Sequence, residues 1–231
     1  MPYSQQLGLI YIGVPKTGST SVTRALKTWQ SAVPEDLQFH KGKVDKTFRE
    51  GHRIGRFTRP WPWPHWQKHL SAAQIQYLIG KEEFSRCTSF TTVRNPWARL
   101  VSIYFFTHKD NEPSAAEKSK SGAKRRFHNR EFEPWIRRRW LRHKLGLAPK
   151  SQLSMLVDKD SQLLVDHIGR LEEIQQTLDW VSEDRNLQKI EAPHVNGTRQ
   201  GHYAQFYTPD TRDMVAEMCQ EDIEYFNYSF D

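Results

Sequence analysis

The chain has 231 residues, of which 37% are hydrophobic; that low share is offset by eight tryptophans and twelve phenylalanines, each of which buries a large area. This length suits one α/β domain with a real core, and a net charge of +7 favours anionic partners: nucleotides, sulfated or carboxylated glycans, nucleic acid or anionic lipid. No apolar run reaches membrane-spanning length and no basic-then-apolar signal opens the chain, so a cytoplasmic protein without a membrane span is expected; Cys87 and Cys219 lack metal or redox spacing, so buried thiols are expected.

Residues 9–14 (LIYIGV) form a short apolar run rich in β-formers, as a strand buried on both faces requires. Residues 15–20 (PKTGST) are a turn that neither strand nor helix continues through. Val22, Ala25, Leu26 and Trp29 then recur at i, i+3, i+4 and i+7, one face of a helix. Strand, glycine turn and helix together build a phosphate cradle, because the first N–H groups of a helix lack partners and the helix dipole draws an anion. Gly18 permits close backbone approach, Thr17, Ser19, Thr20 and Ser21 line the loop, and Lys16 adds a point charge. The loop is not of the ATP-binding form GxxxxGK[ST]: Gly13 and Gly18 have its spacing, but Ser19 follows Gly18 and the lysine stands at position 16. This displaced lysine, in PKTGSTS, resembles the 5′-phosphosulfate loop of sulfotransferases that use 3′-phosphoadenosine 5′-phosphosulfate (PAPS).

Residues 30–68 carry little period. Their run RPWPWPHW is held extended by alternating prolines, and its tryptophans either stack on a sugar or adenine ring or pack a long loop. Residues 71–80 read as a helix capped by Ser71 and ended by Gly80, and residues 87–93 (CTSFTTV) as a second buried strand. Asn95 and Pro96 then suit the cap and first turn of a helix whose stripe is Trp97, Leu100, Val101 and Tyr104. Arg94 thus stands at the carboxyl end of a strand, where open α/β sheets bind ligands, and Ser102 lies on the second helical turn. Read alone, these two are an ion-paired arginine and a solvated serine. VRNPWARLVS, however, closely resembles the 3′-phosphate motif of sulfotransferases, in which an arginine and a serine eight residues later hold that phosphate.

Residues 108–130 look like a basic insertion, with a helix expected from about 131 to 145. Its arginines, among them Arg137, Arg138 and Arg139, form either a solvated face or a groove for an acidic acceptor, and no nucleic-acid module is present. Residues 161–168 are a third strand candidate, followed by Leu171, Ile174, Leu178 and Val181 on one helix face. A glycine-broken loop at 193–203 precedes Thr208 and Pro209, the cap and first residue of a last helix bearing Val215, Met218, Cys219 and Phe226. DHIGRLEEI, PHVNGT and the following helix resemble the C-terminal third of family-2, carbohydrate-type sulfotransferases. In that family the loop closes over the nucleotide, which implies that Thr198 and Arg199 touch PAPS; otherwise it is a surface loop.

The resemblance covers most of the chain and implies a single domain, residues 1–231, with a P-loop-like, doubly wound α/β fold around a parallel sheet. It implies in-line transfer of a sulfuryl group from PAPS to a hydroxyl, with a carbohydrate as acceptor, and release of 3′,5′-ADP. Such chemistry needs a base on one side and a cation or acid on the other. Lys16 fits the second role, and no metal is expected. For the base the choice falls on His69, since a histidine titrates near neutrality and this one ends the irregular segment just before the 71–80 helix. KHLSAAQIQYL also resembles the segment of heparan sulfate 2-O-sulfotransferases in which a histidine serves as base, with His69 at the matching position. His65, His40 and His52 are the alternatives. The other readings of the whole chain are a P-loop nucleotide kinase or NTPase, and an inactive module that binds 3′,5′-ADP or polyanions.

Overall fold

The computed structural model describes residues 3–4, 7–31, 69–108, 121–147, 151–192 and 201–230. Among them are four strands, β1 (Tyr3–Ser4), β2 (Leu9–Ile12), β3 (Thr88–Val93) and β4 (His167–Arg170). There are eight α-helices: α1 (Ser19–Ser31), α2 (Ala72–Ile79), α3 (Lys81–Arg86), α4 (Pro96–Thr107), α5 (Ser121–Lys144), α6 (Ile174–Asp184), α7 (Pro209–Met218) and α8 (Gln220–Phe226). They fall into two compact units, Met1–Val93 with Ser154–Val195, and Arg94–Leu153 with Asn196–Asp231.

The first unit holds the sheet, in the order β1-β2-β3-β4. β2, β3 and β4 run parallel, with Leu9 beside Thr88 and Phe90 beside His167, while β1 pairs antiparallel with β2. β2 is buried along its length, which is why it reads as an unbroken apolar run. Val22, Ala25, Leu26 and Trp29 of α1 pack with Leu9, Tyr11, Phe90, Leu178 and Val181, so the helical stripe read from the sequence is the core face. The Trp29 indole N–H donates to the Gln188 carbonyl at 2.6 Å. Ser71 caps α2 in a capping box with Gln74, and Gly80 ends it at φ 88°. The unanticipated α3 has Glu82 and Glu83 in its first turn and Arg86 in its last, charges that favour the helix dipole.

The second unit is helical. Trp97, Leu100, Val101 and Tyr104 of α4 form its core with Phe132 and Ile136 of α5, Phe206 and Val215. Tyr104 meets Phe132 edge to face at 5.3 Å. Cys87 and Cys219 are free thiols, and burial pushes them up to about 11 and about 12 respectively.

Three expectations are corrected. The third strand lies at His167–Arg170, not at 161–168, because the Asp158 carboxylate accepts from the backbone N–H groups of Asp160 and Gln162 and folds 158–162 into a turn. The basic helix begins at Ser121, ten residues earlier than expected, and runs through Pro134. The last helix is two: Cys219, at φ −118° and ψ 20°, breaks it into α7 and α8.

β4 and α6 approach closely at Gly169, where an added Cβ would strike the Thr177 side chain. The Thr177 hydroxyl oxygen is itself buried without a hydrogen-bond partner. Gly169→Ala should therefore cost about 1–3 kcal/mol by overpacking. Thr177→Val should raise stability by about 1 kcal/mol, because it removes an orphaned hydroxyl. Urea unfolding of both variants checks the opposite signs.

Candidate functional site

Residues 13–21 leave β2 as a tight loop and enter α1. Lys16 at φ 68° and Gly18 at φ 88° give the loop its curl. For lysine that left-handed backbone is unfavourable, and such strain persists only where the surroundings impose it. Gly18 is required twice: for its φ, and because a Cβ there would run into the Leu171 side chain. Its carbonyl accepts from the N–H groups of Ser21 (2.8 Å) and Val22 (3.1 Å), so α1 starts directly out of the glycine.

The loop hydroxyls divide by direction. Thr17 is fully buried and donates to the Val14 carbonyl at 3.0 Å, and Ser19 donates to the same carbonyl at 3.0 Å. Ser21 is buried as well, whereas Thr20 is exposed. Two of the four hydroxyl groups read as anion ligands thus hold the loop's own shape. Behind them, Thr92 of β3 donates to the Thr17 carbonyl at 2.8 Å. The Tyr11 hydroxyl lies 3.0 Å from the Thr92 hydroxyl and 3.3 Å from that of Ser19. With the Thr92 and Ser19 protons both given to carbonyls, the single Tyr11 proton is shared between those two hydroxyl oxygens. Burial pushes the Tyr11 phenol up, which keeps it neutral and able to donate. Tyr11, Thr91 and Thr92 were not singled out in the sequence. The available signal was polar residues in a strand buried along its length, since such groups must be hydrogen-bonded.

His69 belongs to the same unit. Its Nδ1 lies 2.6 Å from the carbonyl oxygen of Gly13, the first residue of the loop. A carbonyl only accepts, so Nδ1 carries a proton, and the neutral ring keeps its lone pair on Nε2. The side chain is exposed. The geometry thus presents an imidazole with a defined tautomer, one hydrogen bond from the loop.

Arg94 and Ser102 belong to the second unit. Arg94 follows directly on the last residue of β3, and its backbone is held at both polar groups by one amide. Its N–H donates to Gln152 Oε1 at 3.0 Å, and Gln152 Nε2 donates to its carbonyl at 2.9 Å. Gln152 is fully buried, and its own N–H donates to Asp222 at 3.0 Å. Asn95 caps α4 through the N–H groups of Trp97 and Ala98, and donates to the Ser229 carbonyl at 2.8 Å. Ser102 is half-buried on the second turn of α4. Nothing in the sequence marked Gln152.

Thr198, Arg199, His40, His52, His65 and the tryptophans of RPWPWPHW lie outside the described residues. Among the described residues no helix is long and apolar enough to cross a membrane, and no group of three or more His, Cys, Asp or Glu is placed to hold a metal ion.

A curled loop at a helix start, with a lysine within it and Thr20 exposed, has the build of an anion cradle. The model of the sulfotransferase family matches residues 3–229, nearly the whole chain, and the P-loop-like fold of that family agrees with the parallel α/β sheet. No curated protein and no solved structure gives a significant match.

The tautomer assigned to His69 has a direct readout. Nitrogen NMR of the imidazole should show Nδ1 protonated and Nε2 unprotonated in the neutral ring. The opposite tautomer would mean that the bond to Gly13 does not form.

Proposed function

This chain belongs to the sulfotransferase family, and from that membership we propose that it moves a sulfuryl group from PAPS to the hydroxyl of a carbohydrate acceptor. The observation that carries the reading is the pairing of the curled lysine loop with His69, whose Nδ1–H is taken by Gly13 and whose Nε2 is left as the basic atom. The family match spans residues of both units, which supports treating them as one sulfotransferase domain.

PAPS supplies a sulfuryl group already joined to a good phosphate leaving group. Lys16 and the backbone of the loop take the 5′-phosphosulfate end, while Arg94 and Ser102 take the 3′-phosphate. As charge grows on the departing phosphate oxygen, Lys16 neutralises it, and this contact is stronger in the transition state than before it. His69 Nε2 accepts the proton of the attacking hydroxyl. The ring then carries a positive charge, and its bond from Nδ1–H to the Gly13 carbonyl becomes charge-assisted and stronger. The Gly13 carbonyl therefore both orients the base and stabilises its protonated form. The Tyr11–Thr92–Thr17 chain keeps the loop curled before ligand arrives, so little ordering is left to binding.

A ligand that binds only the folded protein raises its melting temperature. 3′,5′-ADP should do so strongly and ATP with magnesium far less, since ATP has no 3′-phosphate for Arg94 and Ser102. Arg94→Ala should abolish most of the 3′,5′-ADP effect, and Ser102→Ala should weaken it. Equal shifts from the two nucleotides would replace this reading with that of an NTPase.

For the base, His69→Ala should keep the melting shift given by 3′,5′-ADP and lose turnover of PAPS by ~100-fold or more, the usual contribution of a general base. Turnover within a few-fold of the parent would remove His69 from the reaction. Lys16→Ala should lower the rate more than the affinity for 3′,5′-ADP.

A further inference from the structure

The helix α5 has three sides, and the described residues of the second unit account for two of them. Phe132 and Ile136 are fully buried in its core. On a second side, Arg137 pairs with Asp210 of α7 at 3.4 Å as well as with Glu133 of its own helix. There too, Trp140 donates to Glu217 of α7 at 2.7 Å and Lys144 pairs with the same carboxylate. The third side carries Arg138, Leu141, Arg142 and Leu145, all exposed. At 100° per residue these four fall within one arc of about 100°. Leu141 is 55% exposed, Leu145 65% and Leu147 59%.

Leu147 belongs to the same surface by construction of the helix end. Gly146, at φ 69°, donates its N–H to the His143 carbonyl, and Leu147 donates to the Arg142 carbonyl at 2.8 Å. That pair of bonds is a Schellman motif, which turns the residue after the glycine back towards the last helical turn and the side of Leu141. The leucines are therefore held on a hydrogen-bonded scaffold.

We propose that this face, Arg138, Leu141, Arg142, Leu145 and Leu147, docks the protein on the surface of an anionic lipid bilayer. Exposed leucines have no role in holding a polyanionic glycan, and arginines alternating with leucines do not make the unbroken apolar stripe that a protein groove takes. A headgroup interface accommodates both. The leucines enter the acyl boundary while the long arginine side chains reach the lipid phosphates and carboxylates. Arg137 and Lys144, engaged by the carboxylates of α7, are not part of it. An enzyme held this way meets acceptors displayed at a membrane.

The test is co-sedimentation of the full chain with vesicles of phosphatidylcholine containing phosphatidylserine, beside vesicles of phosphatidylcholine alone. Binding is expected to the anionic vesicles only, and to weaken as salt is raised. Arg138→Gln with Arg142→Gln should lower partitioning about tenfold or more. Leu141→Ser with Leu145→Ser should do the same while melting temperature stays within a few degrees, because both leucines are exposed. No binding to the anionic vesicles would overturn the proposal. So would binding that the arginine pair weakens and the leucine pair leaves unchanged, which is the signature of a polyanion site. The measurement involves neither PAPS nor turnover, so its outcome is independent of the proposed reaction.

Discussion

The hydrogen bond from Thr92 to the Thr17 carbonyl ties the lysine loop to the neighbouring strand, and the curl of the loop depends on that tie. A loop with a lysine and a glycine both at positive φ would not keep its curl alone. Here its interior polar groups are engaged: Val14 accepts from Thr17 and Ser19, Thr92 donates to Thr17, and the Tyr11 hydroxyl lies within hydrogen-bond distance of Thr92 and Ser19. Because this chain is buried, each missing partner would leave an unpaired group at a cost of about 1–3 kcal/mol, so the network forms whole or is strongly disfavoured. The backbone is then held in place for an anion.

The second unit solves a similar problem for Arg94 by a different route. The Asp222 carboxylate is nearly inaccessible and accepts from the N–H groups of both Gln152 and Leu153. Burial pushes its carboxyl above the usual range, while those two donors and Arg99 oppose the shift. Gln152, held in this way, grips both the N–H and the carbonyl of Arg94. In both units a buried polar side chain holds the backbone at or beside the residue proposed to meet ligand charge: Gln152 at Arg94, and Thr92 at Thr17, next to Lys16.

The loop and the proposed base are coupled in the same way. Gly13 is both the first residue of the loop and the acceptor for His69, so a shift in the loop moves the imidazole with it. The basic helix shows how charge is divided once a chain folds. Of the arginines counted in it, Arg137 is tied to α7, and Arg139 lies over the Trp135 ring at 4.4 Å with its proton affinity lowered by burial and by Arg99 and Arg142. Arg138 and Arg142 face solvent. A charge run is thus neither wholly a solvated face nor wholly a groove.

The sequence by itself determined the elements whose cause is local. The apolar run at Leu9, the stripe from Val22 to Trp29, the caps at Ser71, Asn95 and Thr208 and the displaced lysine of the loop were legible because each depends on residues within a turn or two. They were enough for the fold class, and for proposing the loop after β2 as an anion site. Where local signals conflicted, the reading failed. The Asp158 turn took the first two residues of an apparent strand, and Cys219 split an apparent helix. Only the tertiary structure decided which atoms face the chemistry. The inward turn of the Thr17 hydroxyl, and the tie from Thr92 to its carbonyl across 75 residues, follow from packing of β3 against the loop. The tautomer of His69 follows from a carbonyl 56 residues away. A hydrogen bond between distant residues leaves no spacing in the sequence, because either partner alone is compatible with many others until the sheet brings the two together.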